Sequence, residues 1–459
     1  DLLGNGTACL VWSSPLPGEA RSTLRYIDLM GGQKPHLLIK TKNNLGAETE
    51  VEYAASTRFY LQDKQAGTPW ITKLPFPVHV VTKSTVTDKW RNTKFSSTYS
   101  YHHGYFDGIE REFRGFARVE QVDVESYGEF TQGNIASPYI TDNHELYQPP
   151  IKTITWYHTG AAFDQDHILS ALEKEYFPIA GFTEHPLPEP TLTPSDLSAE
   201  EWREAVRACK GMVLRQEVFE LDVDAIAQGI HTRVRLYSTA YHNNNIKRLQ
   251  PQGDNRHAVF LVTESEAITY SYELDLRPPV ANADPRIAHT LNLRFDDYGR
   301  AQQTVAVVYP RRAPYDPPAN TLTHEQRELI RAVQNERHLA YTETHFTAEL
   351  PADPDQHRLP APCEVLTYEL TGTDSTNGFV PSPSSRPYFT RNDFRSFNLT
   401  NALPGQGTTP VTNLDYHQHP GNEAAHMRIV EWVRMLYFND ALSDSQPFGE
   451  YAWHGLPYE

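Results

Sequence analysis

The sequence predicts a mainly β fold made of antiparallel hairpins, and three observations support that class. Its 459 residues include 34 prolines and 25 tyrosines but only 4 methionines, which favours strands and turns over helical bundles. Segments of alternating apolar and polar residues recur along the chain between Gly, Pro, Asn and Asp. The stretch 96–119 carries two aromatic-rich segments around His-Gly and Asp-Gly steps, which is typical of a hairpin. One aromatic face of such a hairpin needs further strands to cover it, so we expect a large sheet.

The first residues predict a tight polar turn followed by a strand. Asp1, Gly4 and Gly6 belong to the turn, and the strand runs from Ala8 to Trp12. In calcium-binding turns, alternating aspartates supply the oxygen ligands, whereas Leu2-Leu3 follows the first aspartate here. A plain structural turn is therefore the prediction. The chain begins in the middle of a pattern and without Met, so we expect it to be a fragment of a longer protein.

Strands and short helices are predicted to alternate through the middle of the chain. Leu74–Val81 is predicted to be an edge strand, because its prolines cannot donate to an inner ladder. Asp164–Phe177 has apolar residues at helical spacing, and Ser198–Cys209 opens with a capping box. Residues 258–276 are predicted to form a pair of strands, and 290–310 a second hairpin.

Two helices are predicted in the last third of the chain. Thr323–Gln326 is a capping box that starts a short helix. In Ala424–Phe438, Met427, Val430 and Val433 recur at a spacing that indicates a longer helix with an apolar stripe.

Two predicted turns share a pattern of aromatic residues, aspartate, glycine and arginine. The first contains Tyr101, Gly104, Asp107, Gly108, Arg111, Phe113, Gly115 and Phe116. The second contains Phe295, Asp296, Gly299 and Arg300. In the first turn, Gly104 and Gly108 are predicted to supply the positive φ that hairpin turns require. We assign these twelve residues a structural role.

The first pattern resembles the tyrosine- and glycine-punctuated strands of the RHS/YD-repeat superfamily. The second resembles the Tyr-Asp-x-x-Gly-Arg core of that repeat, with Phe295 keeping the aromatic ring and lacking only the hydroxyl. More closely, the chain resembles the middle region of the B component of bacterial insecticidal toxin complexes, of the TcdB/TcaC type. The stretches that carry this resemblance are 1–12, 25–38, 88–121, 155–162, 214–221, 289–312 and 363–372.

The resemblance implies antiparallel hairpins wound into part of an RHS-type hollow shell, with a few short helices. It implies four regions along the chain. They are the last blade of an FG-GAP-like β-propeller at 1–45, a TcdB middle N-terminal region with the aromatic hairpin at 46–150, a TcdB middle C-terminal region at 151–320, and RHS-like shell strands with the helix 424–438 at 321–459.

The resemblance also implies a function. In that family the B and C components form a β-shell around the toxic C-terminal part of C, and the B propeller docks on the pore-forming A component. This implies a structural, non-enzymatic part of a secreted toxin complex. The residues leave open an alternative, a β-rich carbohydrate-binding or adhesin module in which Trp90 and Trp156 stack on sugars. A third hypothesis is a pH-triggered release element, based on 20 histidines.

No catalytic, cofactor or metal site is predicted. The sequence lacks a phosphate-binding glycine loop, a G-x-S-x-G elbow and an H-E-x-x-H motif. His102-His103 is expected in a solvated turn, and His417 and His419 could form a zinc pair but have no third ligand nearby. Paired carboxylates at Asp296-Asp297 or Glu110 and Glu112 are expected in turns and charge pairs rather than in glycoside chemistry.

Charge and cysteine content exclude other classes. The net charge of −17 argues against a nucleic-acid surface, and no apolar run approaches the ~20 residues of a membrane helix. Cys9, Cys209 and Cys363 lie far apart, so they are predicted to be buried free thiols rather than a disulfide framework.

Overall fold

One long, mostly antiparallel sheet dominates the computed structural model of this chain. The structure describes residues 1–459 except 20, 22–23, 91–92, 124–148, 189, 195, 281, 313–321, 349–357, 373–377, 384–385, 400–406, 420–423, 453–455 and 459. The mainly β class predicted from the sequence is confirmed, since strands far outnumber helices in the described ranges.

The strands and helices have the following bounds. The strands are β1 Cys9–Ser13, β2 Leu24–Asp28, β3 Lys40–Lys42, β4 Ala47–Ala55, β5 His79–Asp88, β6 Thr93–Asp107, β7 Glu112–Asp123, β8 Ile151–Tyr157, β9 Thr191–Thr193, β10 Val213–Leu221, β11 Arg233–Gln250, β12 Val259–Asp275, β13 Arg286–Phe295, β14 Ala301–Val308, β15 His338–Phe346, β16 Pro362–Thr371, β17 Thr412–Leu414 and β18 His426–Arg434. The helices are α1 Ser56–Gln65, α2 Gln165–Glu173, α3 Ala199–Ala208, α4 Val223–Ala227, α5 His324–Asn335 and α6 Arg391–Arg395.

The order of strands in the sheet follows the order of the chain almost throughout. Among the described strands the order is β17-β18-β16-β15-β14-β13-β12-β11-β10-β8-β7-β6-β5-β4-β3, and β9 pairs in parallel with β11. β1 and β2 form a separate antiparallel hairpin. Strands on both sides of residues 45, 150 and 320, where the sequence analysis divides the chain into regions, belong to the same long sheet.

The main core lies along the central strands, where inward side chains of β8 and β10–β16 form one apolar cluster. Phe394 in α6 and Phe389 just before that helix pack into the same cluster. Each fully buried large side chain of this kind stabilises the fold by about 1.5–3 kcal/mol. A smaller cluster joins Ala205 and Cys209 at α3 to Ile246 on β11, so that helix is packed on the sheet.

Several predictions that depend only on neighbouring residues are confirmed. The aromatic hairpin is β6 and β7, and the second predicted hairpin is β13 and β14. Ser198 and Thr323 both form the capping boxes predicted for α3 and α5. α2 occupies most of the predicted helix at 164–177.

The prediction of a helix at 424–438 is wrong, because β18 occupies His426–Arg434 and pairs with β16. Only Met427 of the proposed apolar stripe is buried. The segment is rich in Ile, Val and Trp, which favour strands, and β16 offers it a complete ladder of partners. Tertiary pairing therefore overrides a spacing that also fits a helix.

Two strand predictions also need correction. The single strand β12 lies within residues 258–276 in place of the predicted pair, and a β-bulge at Ser265 interrupts its pairing with β11. The predicted edge strand at Leu74–Val81 begins only at His79, and it lies between β4 and β6. Its prolines precede the strand, where no ladder donor is needed.

Candidate functional site

The aromatic hairpin β6–β7 packs through a cluster of rings. Tyr101 contacts Phe116 at 5.0 Å and Phe59 of α1 at 5.7 Å between ring centroids. Phe116 also meets Phe113 at 5.5 Å and Trp70 at 6.0 Å. Edge-to-face geometry of this kind adds about 0.5–1.5 kcal/mol per pair beyond area burial. The motif aromatics therefore fasten α1 and the following loop to the sheet.

The glycines of this hairpin act differently from the prediction. Neither Gly104 nor Gly108 has positive φ; His103, Arg111 and Gly115 have it instead. Gly104 lies inside β6, where an added Cβ would come within 2.8 Å of the Trp70 ring. The requirement at this position is therefore close packing rather than a turn conformation.

Asp107 organises the turn of the hairpin. Its Oδ1 accepts hydrogen bonds from the backbone N–H groups of Ile109 and Glu110, at 3.0 and 2.9 Å. Its ion-pair partner is the buried Arg114 at 3.2 Å, while Arg111, the arginine of the motif, is exposed in the turn. The first motif thus uses a different arginine from the one that the pattern indicates.

The second motif forms a clamp between aspartate and arginine. Asp296 accepts hydrogen bonds from the backbone N–H of Arg300 at 2.8 Å and from its Nε at 2.7 Å. The Arg300 guanidinium lies 4.0 Å from the centre of the Phe346 ring on β15 and donates to the carbonyl of Pro360. Gly299 has a φ of 81°. This turn therefore ties the β13–β14 hairpin to the segment that leads into β16.

The structure does not bring the two motifs together. Each lies in its own hairpin, and β12, β11, β10 and β8 separate β13 from β7. At about 4.8 Å per strand, this places them about 24 Å apart across the sheet. Each motif therefore stabilises its own hairpin in the same sheet, and the two do not form a shared site.

Sequence reasoning missed a segment that crosses the sheet, residues 175–184, which we call the crossing strap. Its first residue, Glu175, accepts hydrogen bonds from His103 of β6 at 2.8 Å, Arg118 of β7 at 2.8 Å and Trp156 of β8 at 3.2 Å. Burial raises the pKa of Glu175, but the His103 hydrogen bond and the Arg118 charge outweigh it and lower the pKa to about 2. One carboxylate thus links three neighbouring strands.

The last residue of the crossing strap, Glu184, links the next three strands. It accepts from Arg215 of β10, Thr239 and Tyr241 of β11, and Tyr272 of β12. These donors lie 31 to 88 residues away along the chain. Burial of a hydroxyl beside this carboxylate raises the pKa of Tyr241 and Tyr272.

Arg215 is enclosed by this arrangement, with only 1% of its side chain exposed. The Tyr176 and Tyr241 ring centres lie 4.8 and 4.5 Å from its guanidinium, and Glu217 accepts from its Nε at 2.9 Å. The sequence carried a signal for this buried charge. Arg215 and Glu217 occupy every second position of β10 together with Phe219 and Leu221. All four therefore share the inward face of the strand.

The other candidate residues from the sequence analysis make structural contacts. Glu112 pairs with Arg207 and Lys210 at 2.9 and 2.7 Å, so it ties the hairpin to α3 rather than forming the cross-strand pair that we expected. Asp297 pairs with Lys247 at 3.1 Å on the surface. His102 is buried and its Nδ1 lies 2.6 Å from Asp63, so a solvated turn is the wrong interpretation.

The positions of the described side chains bear on the metal and sugar hypotheses. Among the described residues, no group of three or more His, Cys, Asp or Glu could hold a metal ion. Trp156 is 1% exposed, so the suggestion that it stacks on a glycan is wrong. Cys209 and Cys363 are buried as predicted, whereas Cys9 is partly exposed. In the described part of the chain, no helix is long and apolar enough to cross a membrane.

Comparison with known proteins adds family and fold relationships. A family model described as the insecticide toxin TcdB middle/N-terminal region matches residues 1–146. A second, described as the TcdB middle/C-terminal region, matches residues 204–358, so the two together cover roughly two thirds of the chain. No curated protein matches the chain.

Solved structures share the fold along the whole chain. A crystal structure of TcdB2-TccC3-Cdc42 matches with a TM-score of 0.62 at 23% identity, and one of TcdB2-TccC3 with 0.61 at 22%. A Tc holotoxin pore of Photorhabdus luminescens matches with 0.60 at 24%. Each covers 100% of this chain but only 19–20% of the matched chain, so this chain spans about a fifth of their length. Two consecutive family models and this common fold show that the chain belongs to the insecticide toxin TcdB family, as a segment of the B component of a toxin complex.

Proposed function

We propose that this chain forms part of the wall of a β-shell, in which the B subunit and a C component enclose a cytotoxic cargo. The observation that carries the proposal is that 16 strands of the described residues belong to one sheet. Twisted sheets of more than about ten strands rarely stay flat and open, so a sheet of this length is expected to curl. A curled meander whose strands follow the chain order can enclose a volume with few exposed edges.

An open strand edge supports pairing beyond the described strands. β17 pairs only with His426–Arg428 of β18, and no other described strand covers the rest of that edge. Val430, Trp432 and Val433 are exposed beside it. Unpaired backbone groups with exposed apolar side chains favour addition of a further strand. The matched structures contain TcdB2 together with TccC3, and we propose an equivalent C component as the partner here.

We propose that residues 1–45 belong to a β-propeller through which the B subunit docks on a pore-forming A component. β1 and β2 form their own sheet, apart from the long one. Leu10, Trp12 and Ile27 of this hairpin are between 40% and 56% exposed, which is typical of strands whose neighbours lie elsewhere. The match to a holotoxin pore fits this arrangement. A role in such a complex implies a secreted protein.

We also propose that the segment has no catalysis of its own. The buried carboxylate of Glu184 is already engaged in tying strands together, because it accepts hydrogen bonds from four side chains. A catalytic carboxylate needs a free oxygen that faces a substrate. The boundaries 46–150, 151–320 and 321–459 remain our proposal for the regions of the wall.

Electron microscopy of the reconstituted complex tests the wall proposal. The full-length B protein is co-expressed with its C component, and protease resistance of the C-terminal part of C is measured beside imaging. We expect a hollow shell with β4–β18 in its wall, and a C-terminal part that is protected in the complex but cleaved in C alone. A complex without a lumen, or equal cleavage in both samples, contradicts the proposal. Adding the A component tests docking separately, since loss of the hairpin β1–β2 should abolish docking and leave the shell intact.

A further inference from the structure

A gap interrupts the sheet beside β11. β10 pairs with β11 only as far as Tyr241, and β9 pairs with it from Asn245 onward. No described strand pairs with His242–Asn244 on that side. The backbone N–H of Asn244 is instead satisfied by the side-chain oxygen of Asn243 at 2.8 Å. His242–Asn244 of β11 therefore form an open strand edge, of which the Asn243 side chain covers only a part.

A cavity of about 460 Å³ adjoins this edge, and we call it the strand-gap cavity. Its walls are mainly aromatic and proline side chains of the crossing strap and the loop after it. They include Tyr176, Phe177, Phe182, Leu187, Pro188 and Pro190. The consecutive residues His242, Asn243 and Asn244 all line it. Because side chains alternate along a strand, this places the cavity along the edge of β11 rather than on one face of the sheet.

Two buried polar side chains of the cavity lack a complete set of partners. Asn244 is only 6% exposed, and within the described residues its side chain makes no hydrogen bond. His158 is 3% exposed, and its Nδ1 accepts from the backbone N–H of Gly160 at 2.9 Å. Burial lowers the pKa of His158 to about 4, so the ring is neutral at pH 7 and its Nε2 carries the proton. The Asn244 amide and the His158 Nε2 therefore have hydrogen-bonding capacity left for a ligand in the cavity.

The charges around the cavity disfavour an anionic ligand. Arg215 lines it, but that guanidinium already pairs with Glu184 and Glu217. Glu173 adds a further carboxylate to the lining. An anion would therefore meet a net negative surrounding, while the aromatic and proline walls favour an apolar body.

We propose that the strand-gap cavity binds an uncharged, extended peptide segment that adds to the open edge of β11. Three residues of β11 form that edge, and an extended peptide of about three residues covers the same ~10 Å. The peptide carbonyl accepts from His158 Nε2, its amide group exchanges hydrogen bonds with Asn244, and an apolar side chain packs against the prolines. Strand addition obtains affinity from backbone hydrogen bonds and specificity from such side-chain pockets.

Binding of capped tripeptides to the full-length B protein tests this proposal by ligand-observed NMR and calorimetry. N-acetyl-Ala-Leu-Ala-amide should bind. N-methylation of the central amide removes one hydrogen bond and should weaken binding roughly fivefold. Replacement of the central leucine by glutamate should weaken it further. N-acetylleucinamide should bind more weakly than the tripeptide, and equal affinity of the two would overturn strand addition in favour of a small-amide site.

Variants of the protein locate the binding. Asn244→Ala and His158→Phe should each lower the affinity about fivefold. Asn245→Ala is the matched control, because that residue pairs with β9 and does not line the cavity. Absence of tripeptide binding, or the same loss in the control, overturns the proposal. The N-methyl comparison uses the unmodified protein, so it remains decisive if a variant misfolds. Shell formation with the C component is measured separately and does not depend on this result.

Discussion

The Glu184→Gln substitution tests whether the crossing strap holds the sheet together. The change keeps the size of the side chain but removes the charge that faces Arg215, whose side chain is 1% exposed. Breaking a buried ion pair from one side typically costs about 3–5 kcal/mol. Arg215 keeps Glu217 as a partner at 2.9 Å, so we expect the lower end, about 3 kcal/mol.

Hydrogen exchange measured by mass spectrometry on the full-length protein reports this cost locally. Peptides from β10, β11 and β12 should exchange roughly 100-fold faster, at about 1.4 kcal/mol per tenfold change in opening. Asp297→Asn is the matched control, since the carboxylate that it removes is 94% exposed and pairs with Lys247 on the surface. We expect less than about 1 kcal/mol from that exposed pair. If both variants change the exchange of these strands equally, the strap does not stabilise the sheet through Glu184.

Three further predictions test other parts of the fold. Gly104→Ala should destabilise the protein by about 1–3 kcal/mol through overpacking, measured by urea denaturation. Gly108→Ala, with nothing within 4 Å of the added Cβ, should have little effect, and equal effects would contradict the packing argument. Arg300→Lys should lower the free energy of unfolding by about 1–2 kcal/mol. Lysine keeps the positive charge but lacks the planar guanidinium that bonds Asp296 and stacks on the Phe346 ring. A urea midpoint equal to that of the wild type would show that the clamp is not needed. Burial lowers the pKa of His158 from 6.5 to about 4, so the unfolded chain takes up a proton first as the pH falls. The free energy of unfolding should be highest above pH 6.5 and should fall by up to about 3 kcal/mol as the pH is lowered to 4. His158→Gln should flatten this part of the stability–pH profile. A profile that the substitution leaves unaltered would contradict the assignment.

The elements that the sequence predicted well are those that a few neighbouring residues determine. The capping boxes at Ser198 and Thr323 form within four residues, and the hairpins β6–β7 and β13–β14 close around short turns. The helix predicted at 424–438 shows the limit of such reasoning. Its apolar spacing fits a helix, but the register with β16 decides the outcome, and that partner lies about 60 residues earlier in the chain.

The crossing strap could not be predicted because its contacts are distant in sequence. Glu184 lies in a stretch that the sequence identifies only as a proline-rich loop, and its partner Tyr272 is 88 residues away. The inward position of Arg215 and Glu217 could have been read from the alternation of β10, which would have predicted a buried charge in need of partners. Nothing in the sequence indicates which carboxylate meets that need. The bulge at Ser265 also depends on a partner strand, because it lies where the pairing of β12 with β11 shifts by one residue.

The dimensions of the crossing strap fit a role in fixing the width of this part of the sheet. β6, β7, β8, β10, β11 and β12 are consecutive in the sheet, and at about 4.8 Å per step they span about 24 Å. The nine steps from Glu175 to Glu184 reach at most about 30 Å when fully extended, so the strap has little slack. Between its two carboxylates, Tyr176, Phe177 and Phe182 contact aromatic rings of β8, β10 and β12. A strap attached at both ends and packed along its length opposes both spreading and sliding of these strands. In the wall that we propose, both deformations would open the shell, so the carboxylates at both ends of the strap fit that proposal.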